Sequence, residues 1–99
     1  MIELSKETVR RVHLLFHEKD RELVAKQLTQ ECGDNLPMVE SSHLELVERI
    51  RFAVLKLSGG DREKLHAEIK SAAIDWRDTL MSAGFGNDVK SHLSWEPHS

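Results

Sequence analysis

Two neighbouring segments, residues 42–57 and 61–83, carry apolar side chains at helical spacing on more than one side. The main faces hold Leu46, Val47, Ile50, Ala53, Val54 and Leu57 in the first segment, and Leu65, Ile69, Ala72, Ala73, Trp76, Leu80 and Ala83 in the second. Off these faces lie Phe52, Leu55, Ile74 and Met81. A helix that is apolar on two sides either packs between two layers of its own protein or leaves one side for a partner.

The rest of the chain follows the same helical spacing between glycine-containing breaks, and no stretch shows a sustained period of two. We therefore predict an all-α fold: residues 1–99 form one domain, a compact bundle of four to five helices around a central helical hairpin. Ser5 is expected to cap the first helix. A change in the direction of the apolar stripe predicts a break near Lys19-Asp20, with Asp20 as the next cap.

Capping signals define the central hairpin. Ser42 and Glu45 have the spacing of a capping box, which predicts the start of the third helix. Gly59 is expected to end that helix, and Asp61 to cap the fourth. Gly84 should end the fourth helix, and the residue after it should fold back on Leu80.

The two tryptophans receive different predictions. Trp76 falls in the main apolar face of the fourth helix, so we expect it to be a core anchor whose indole N–H finds a partner. Trp95 follows a last short helix that Asn87 or Asp88 is expected to cap. Whether that short helix covers Ile74 and Met81 decides whether the second apolar side belongs to the core.

The charge balance argues against nucleic-acid binding. Acidic side chains outnumber basic ones by 17 to 14, a net charge of -3, and the basic pairs Arg10-Arg11 and Arg49 with Arg51 stand among glutamates. The N-terminal residues lack the apolar run of a secretory signal or membrane span. With a single cysteine, these features predict a cytoplasmic protein that binds neither nucleic acid nor membranes.

Residues that could carry chemistry are few. His13 and His17 have the spacing for a shared metal ion, with Cys32, His92 or His98 as further ligands, but the glutamate follows the second histidine and no CxxC is present. Cys32 continues an apolar stripe and is expected to be a buried structural thiol. We predict no catalytic residue, metal or cofactor.

Three motifs bear on ancestry: LVERIRFAVLKLSG at residues 46–59, DWRD at 75–78 and AGF at 83–85. Over residues 32–95 the chain resembles a small family of uncharacterised bacterial helical proteins. The resemblance implies a bacterial, cytoplasmic origin. It implies no activity, cofactor or functional residue.

These observations favour a non-enzymatic protein–protein interaction module of regulatory or adaptor type, with a second copy among the candidate partners. The expected contact residues are Phe52, Leu55, Ile74, Met81 and Trp95. One alternative is a small ligand- or metal-binding helical protein, or an enzyme, that uses histidines such as His13, His17, His66 or His92. A second alternative is an immunity- or inhibitor-type binder of a basic protein.

Overall fold

The computed structural model describes residues 1–97 as α-helices joined by short connections, without a strand in that part of the chain. The α-helices are α1 (Lys6–Leu15), α2 (Glu18–Glu31), α3 (Leu44–Ser58) and α4 (Arg62–Ala83), followed by a 3-10 helix, Ser91–Ser94. The predicted all-α bundle is confirmed, and α3 and α4 form its central hairpin. His98, a candidate metal ligand, lies outside the described residues.

The turn between α3 and α4 forms as its residues predict. Gly59 ends α3 in the left-handed conformation, at φ 59°. The Asp61 side chain accepts the backbone N–H groups of Glu63 and Lys64 at 2.8 and 3.1 Å, which satisfies amides at the start of α4 that no helical carbonyl reaches. The hairpin is therefore specified locally.

Gly60 in the same turn gives a first testable prediction. Its φ is +88°, and a Cβ placed there would lie 2.6 Å from the Leu15 carbonyl oxygen, so an alanine meets both backbone strain and a backbone clash. We expect Gly60→Ala to lower the free energy of unfolding in urea by about 2 kcal/mol. Gly59→Ala is the matched control, because it has similar strain but no atom within 4 Å. Equal losses in the two variants would contradict the close approach to Leu15.

The core surrounds α3 on all sides. Residues 50–55 of this helix are all buried, so the two apolar faces read from the sequence are both covered by the protein itself. Phe52 and Leu55 are each 0% exposed. The predicted partner contacts at Phe52 and Leu55 are therefore wrong: on this helix the second apolar side is core.

Two helix starts differ from their predictions. The break after α1 falls at residues 16–17, earlier than Lys19-Asp20, and Arg21 stabilises it by donating to the carbonyl oxygens of Phe16 and His13 at 3.2 and 3.1 Å. Asp20 consequently lies inside the first turn of α2. The capping box at Ser42 does not form either, because α3 begins at Leu44.

Helix α4 is kinked at Asp75, whose backbone is extended (φ -155°, ψ 91°). The Asp75 carboxylate accepts the backbone N–H of Arg77 at 3.1 Å, which restarts the helix one residue further on. Ala73, which the sequence placed on the main face, is exposed, while Thr79 on the other side of the kink is buried.

The end of α4 closes as predicted. Gly84 has φ 82°, and the N–H of Phe85 donates to the Leu80 carbonyl oxygen at 2.8 Å, with the Phe85 ring buried beside the helix. Within residues 1–97, no helix is long and apolar enough to cross a lipid bilayer.

Two arginines are buried as deeply as the apolar core. The guanidinium of Arg51 donates to the carbonyl oxygens of Cys32, Glu3 and Ile2 at 2.7, 2.9 and 2.6 Å. That of Arg11 donates to the Trp95 carbonyl oxygen at 3.0 Å. In the sequence, both arginines read as members of surface basic pairs. They instead hold the two ends of the chain against the bundle.

Candidate protein-binding surface

The predicted contact residues separate into a covered group and an exposed group. The ring of Trp95 is half-buried and lies 6.1 Å from that of Phe52, so it forms part of the layer that covers this core residue. The last short helix packs on α3. It therefore leaves Ile74 and Met81 exposed, and Ile74 shows 84% of its surface to solvent.

A small groove of about 90 Å³ opens beside the kink in α4. The residues around it, which we call the kink surface, are Pro37, Met38, Ile74, Asp75, Trp76 and Arg77. Ile74 is the last residue before the non-helical Asp75, and Met38 across the groove is 78% exposed. Two large, exposed apolar side chains thus line the same groove.

Trp76 joins the loop before α3 to α4. Its indole Nε1–H donates to the Pro37 carbonyl oxygen at 2.8 Å, and the partly buried ring packs against the core. The predicted partner for the indole N–H is therefore present. The prediction of a core anchor is confirmed in part: Trp76 packs against the core but is not fully buried.

Met38 adopts a left-handed backbone conformation, with φ 64°. For a residue other than glycine, this conformation costs about 1 to 2 kcal/mol. Leu36 and Val39, on either side of Met38 in the chain, are both buried. The Val39 N–H donates to the Leu36 carbonyl oxygen at 3.2 Å. This turn buries its neighbours in the core and directs Met38 into solvent. Backbone strain at an exposed apolar residue is typical of functional sites.

Arg77 adds a cation to this surface. Its guanidinium carbon lies 5.4 Å from the centroid of the Trp76 ring. Within residues 1–97 the guanidinium makes no hydrogen bond or ion pair, and Asp75 accepts the backbone N–H of Arg77 instead. The kink surface therefore combines exposed aliphatic groups with a tryptophan and an arginine, two residue types that are enriched among the binding hot spots of protein interfaces.

A second and larger concavity, of about 550 Å³, lies at the start of α3. Its lining consists of Ser42, His43, Leu44, Glu45, Leu46, Arg49 and Val89. The guanidinium of Arg49 donates to the Phe85 carbonyl oxygen, and His43 Nδ1 accepts the Glu40 backbone N–H at 3.2 Å. The polar groups are thus used in local structure. This volume lies in the range of ligand sites, but no nucleophile is hydrogen-bonded to a base in it.

The remaining reactive side chains are dispersed. His13 and His17 are both exposed, and no group of three histidine, cysteine or acidic residues in the described chain is placed to hold a metal ion. Cys32 is buried, as predicted, and burial raises the pKa of its thiol to about 12, so the reactive thiolate does not form near neutral pH.

Comparison of the chain with protein-family models, with curated proteins and with solved structures found no match in any of the three. The geometry of the kink surface is therefore the basis for its interpretation. Sequence reasoning found Ile74 through its position opposite the main face of α4. It missed Met38, which lies in a loop where periodicity carries no signal.

Proposed function

We propose that this protein is a non-enzymatic protein–protein interaction domain of regulatory or adaptor type. The kink surface binds a segment of another protein that places an aliphatic side chain in the groove and a carboxylate on Arg77. The observation that carries this proposal is the exposure of Ile74 and Met38 on the two sides of one groove. The single buried thiol of Cys32 supports a reducing, cytoplasmic setting.

The size of the groove selects the apolar part of the partner. At about 90 Å³ it is smaller than a cavity of about 150 Å³ that takes up benzene, so it suits one aliphatic side chain. Binding would remove the exposed surfaces of Ile74 and Met38 from water, and each fully buried aliphatic side chain contributes about 1.5 to 3 kcal/mol. The strained turn at Met38 fixes one wall of the groove before a partner arrives, which reduces the entropy lost on binding.

The charge of Arg77 selects the polar part. Its guanidinium lies over the Trp76 ring and has no acidic partner within the described residues, since Asp75 accepts the backbone N–H of Arg77. A carboxylate on the partner would pair with it through charge-assisted hydrogen bonds. An acidic residue next to an aliphatic one is therefore the expected recognition feature.

A displayed peptide library tests this proposal while the natural partner is still unidentified. Random 12-residue peptides are selected on the wild-type protein, and the affinity of the enriched peptides is then measured for variants. We expect the enriched sequences to pair an aliphatic residue with Asp or Glu. Ile74→Lys should weaken binding by about 10-fold or more, and Arg77→Ala by several-fold. Because Ile74 is exposed, its substitution should change the free energy of unfolding by no more than about 0.5 kcal/mol.

Leu23→Lys is the matched control, since Leu23 is an exposed leucine on α2, away from the groove. Its peptide affinity should equal that of the wild type. Absence of enriched peptides, or enriched peptides that bind Ile74→Lys as well as the wild type, would refute the proposal. Sedimentation that shows a wild-type dimer dissociated by Ile74→Lys would assign the surface to a second copy of this chain, and would also refute binding of a separate partner.

A further inference from the structure

Residues 88–97, which we call the strap, run across α3 and are held mainly by α1. Arg10 binds both carboxylate oxygens of Glu96, at 2.8 and 2.6 Å, and Arg11 donates to the Trp95 carbonyl oxygen. The strap includes the 3-10 helix. Its side chains His92 and Trp95 cover the ring of Phe52. The strap is thus a lid of about ten residues over the centre of the core, attached by polar contacts at its end.

His92 is the strap residue that enters the core most deeply, at 3% exposure. Its ring meets those of Phe52 and Phe85 edge-on, with centroids 5.1 and 6.2 Å apart. Its Nδ1 atom has no hydrogen-bond partner among the described residues. Its Nε2 atom lies 3.7 Å from a carboxylate oxygen of Glu48, beyond hydrogen-bond length. These surroundings are compatible with a neutral imidazole. They destabilise an imidazolium, because a charged ring has an N–H on both nitrogens and each of them needs an acceptor.

The charges around His92 come from two helices. Glu48 of α3 attracts a protonated ring, while Arg49 of α3 and Arg11 of α1 repel it. Lys56, also on α3, stacks on the Phe85 ring at 4.9 Å, and Lys90 of the strap itself is exposed. Glu45 of α3 lines the same small pocket as His92 and Glu48. Glu48 is the carboxylate that acts on the ring, and it opposes two close arginines and the loss of water around the ring.

We propose that the strap is a pH-sensitive lid, which protonation of His92 releases from α3 so that Phe52 and Phe85 become accessible. Charging the ring in place would put an imidazolium between two phenyl rings, with one unpaired N–H and two arginines nearby. Moving the strap into water hydrates that charge. This device is separate from the kink surface and does not depend on its function.

The direction of the pH dependence follows from the same surroundings. Burial lowers the pKa of His92 below its ordinary value, Arg49 and Arg11 lower it further, and Glu48 opposes them. The closed strap therefore binds a proton less readily than the open strap. The stability of the closed state is complete above the ordinary histidine pKa of about 6.5 and declines as the pH falls through that value. The neighbouring Arg10 lowers the pKa of Glu96, so their ion pair persists in this window.

Tryptophan fluorescence can report the strap alone, because the chain contains only two tryptophans. In a Trp76→Phe background, Trp95 is the sole emitter. We expect its emission to shift to longer wavelength as the pH falls from 8 to 5, while the helical circular dichroism signal remains. His92→Phe, which keeps an aromatic ring but removes the titrating group, should abolish the shift.

Glu48→Gln provides a second variant. It removes the group that favours the charged ring in the closed state, so the strap should open at a higher pH than in the parent protein. Three results would overturn the proposal: Trp95 emission that stays constant to pH 5, a shift that persists in His92→Phe, or a shift that coincides with loss of helix, which would mean that the whole domain unfolds and not the strap.

Discussion

Replacing Arg51 with alanine should lower the free energy of unfolding by about 4 kcal/mol, the largest loss that we expect from a single polar side chain in this protein. Arg51 is 2% exposed, and its guanidinium donates to carbonyl oxygens of Ile2, Glu3 and Cys32. An alanine leaves these acceptors without donors and creates a cavity. Each buried acceptor without a partner costs about 1 to 3 kcal/mol.

Three separate parts of the chain meet at Arg51: the N-terminal residues, the end of α2 and the middle of α3. Gly33 belongs to this arrangement, because a Cβ at that position would lie 3.0 Å from the Arg51 guanidinium. Burial lowers the pKa of Arg51, but an arginine starts from so high a value that it keeps its charge at neutral pH. Arg51→Lys should recover only part of the loss, since an ammonium cannot span three acceptors as the planar fork does.

The measurement is urea unfolding of Arg51→Ala and Arg51→Lys beside Arg62→Ala. Arg62 is half-exposed, and it contacts Asp20 at 3.5 Å, so its removal should cost no more than about 0.5 kcal/mol. An Arg51→Ala variant that loses no more stability than Arg62→Ala would contradict the role of this guanidinium in joining residues 2–3 and the end of α2 to α3.

Phe52→Ala should also cost about 4 kcal/mol, because this side chain is fully enclosed. Its ring meets those of His92 and Trp95, and the Arg11 guanidinium lies 4.2 Å from its centroid. Truncation would leave a cavity under the strap and remove these contacts together. The loss should therefore reach the upper part of the range for large core residues.

Ile74→Ala is the comparison for Phe52→Ala, since both residues lie off the main apolar faces of the central hairpin. Its side chain is exposed, so urea unfolding should give a change of no more than about 0.5 kcal/mol. Similar losses in the two variants would contradict the division of the off-face residues into core on α3 and surface on α4.

Much of the fold follows from local signals in the sequence. Gly59 ends α3, Asp61 caps the start of α4 and Gly84 ends α4, each as its residue type predicts. Phe85 then closes the end of α4 against Leu80. Each of these features involves residues close together in the chain. Their physics therefore acts on a short segment, and a pattern in the sequence is enough to predict it.

The features that could not be predicted depend on distant parts of the chain. In the sequence, Arg11 and Arg51 resemble exposed charges. Arg11 donates to the carbonyl of Trp95, 84 residues away. Arg51 donates to those of Glu3 and Ile2, 48 and 49 residues away. Backbone carbonyls have no sequence signature. The kink at Asp75 was missed for another reason: the apolar spacing continues through it, while the carboxylate competes locally for the Arg77 amide.

The candidate site was predicted in part. The position of Ile74 opposite the main face of α4 made it a candidate contact residue but left its covering open, and the structure shows it exposed. The same reasoning failed for Phe52 and Leu55, because a helix that is apolar all round is typical of the centre of a bundle. The number of layers that cover a helix is set by the packing of the whole chain. The apolar periodicity of one segment therefore cannot predict that number.

The two indole N–H groups offer the most direct test of the proposed binding surface. They give separate signals in a ¹H–¹⁵N correlation spectrum, and they lie on different parts of the molecule: Trp76 in the kink surface and Trp95 in the strap. During titration with a selected acidic, aliphatic peptide at pH 7.5, we expect the Trp76 indole and the Met38 and Ile74 amides to shift, while the Trp95 indole stays in place. Shifts at Trp95 with an unchanged Trp76 signal would contradict binding at the kink surface.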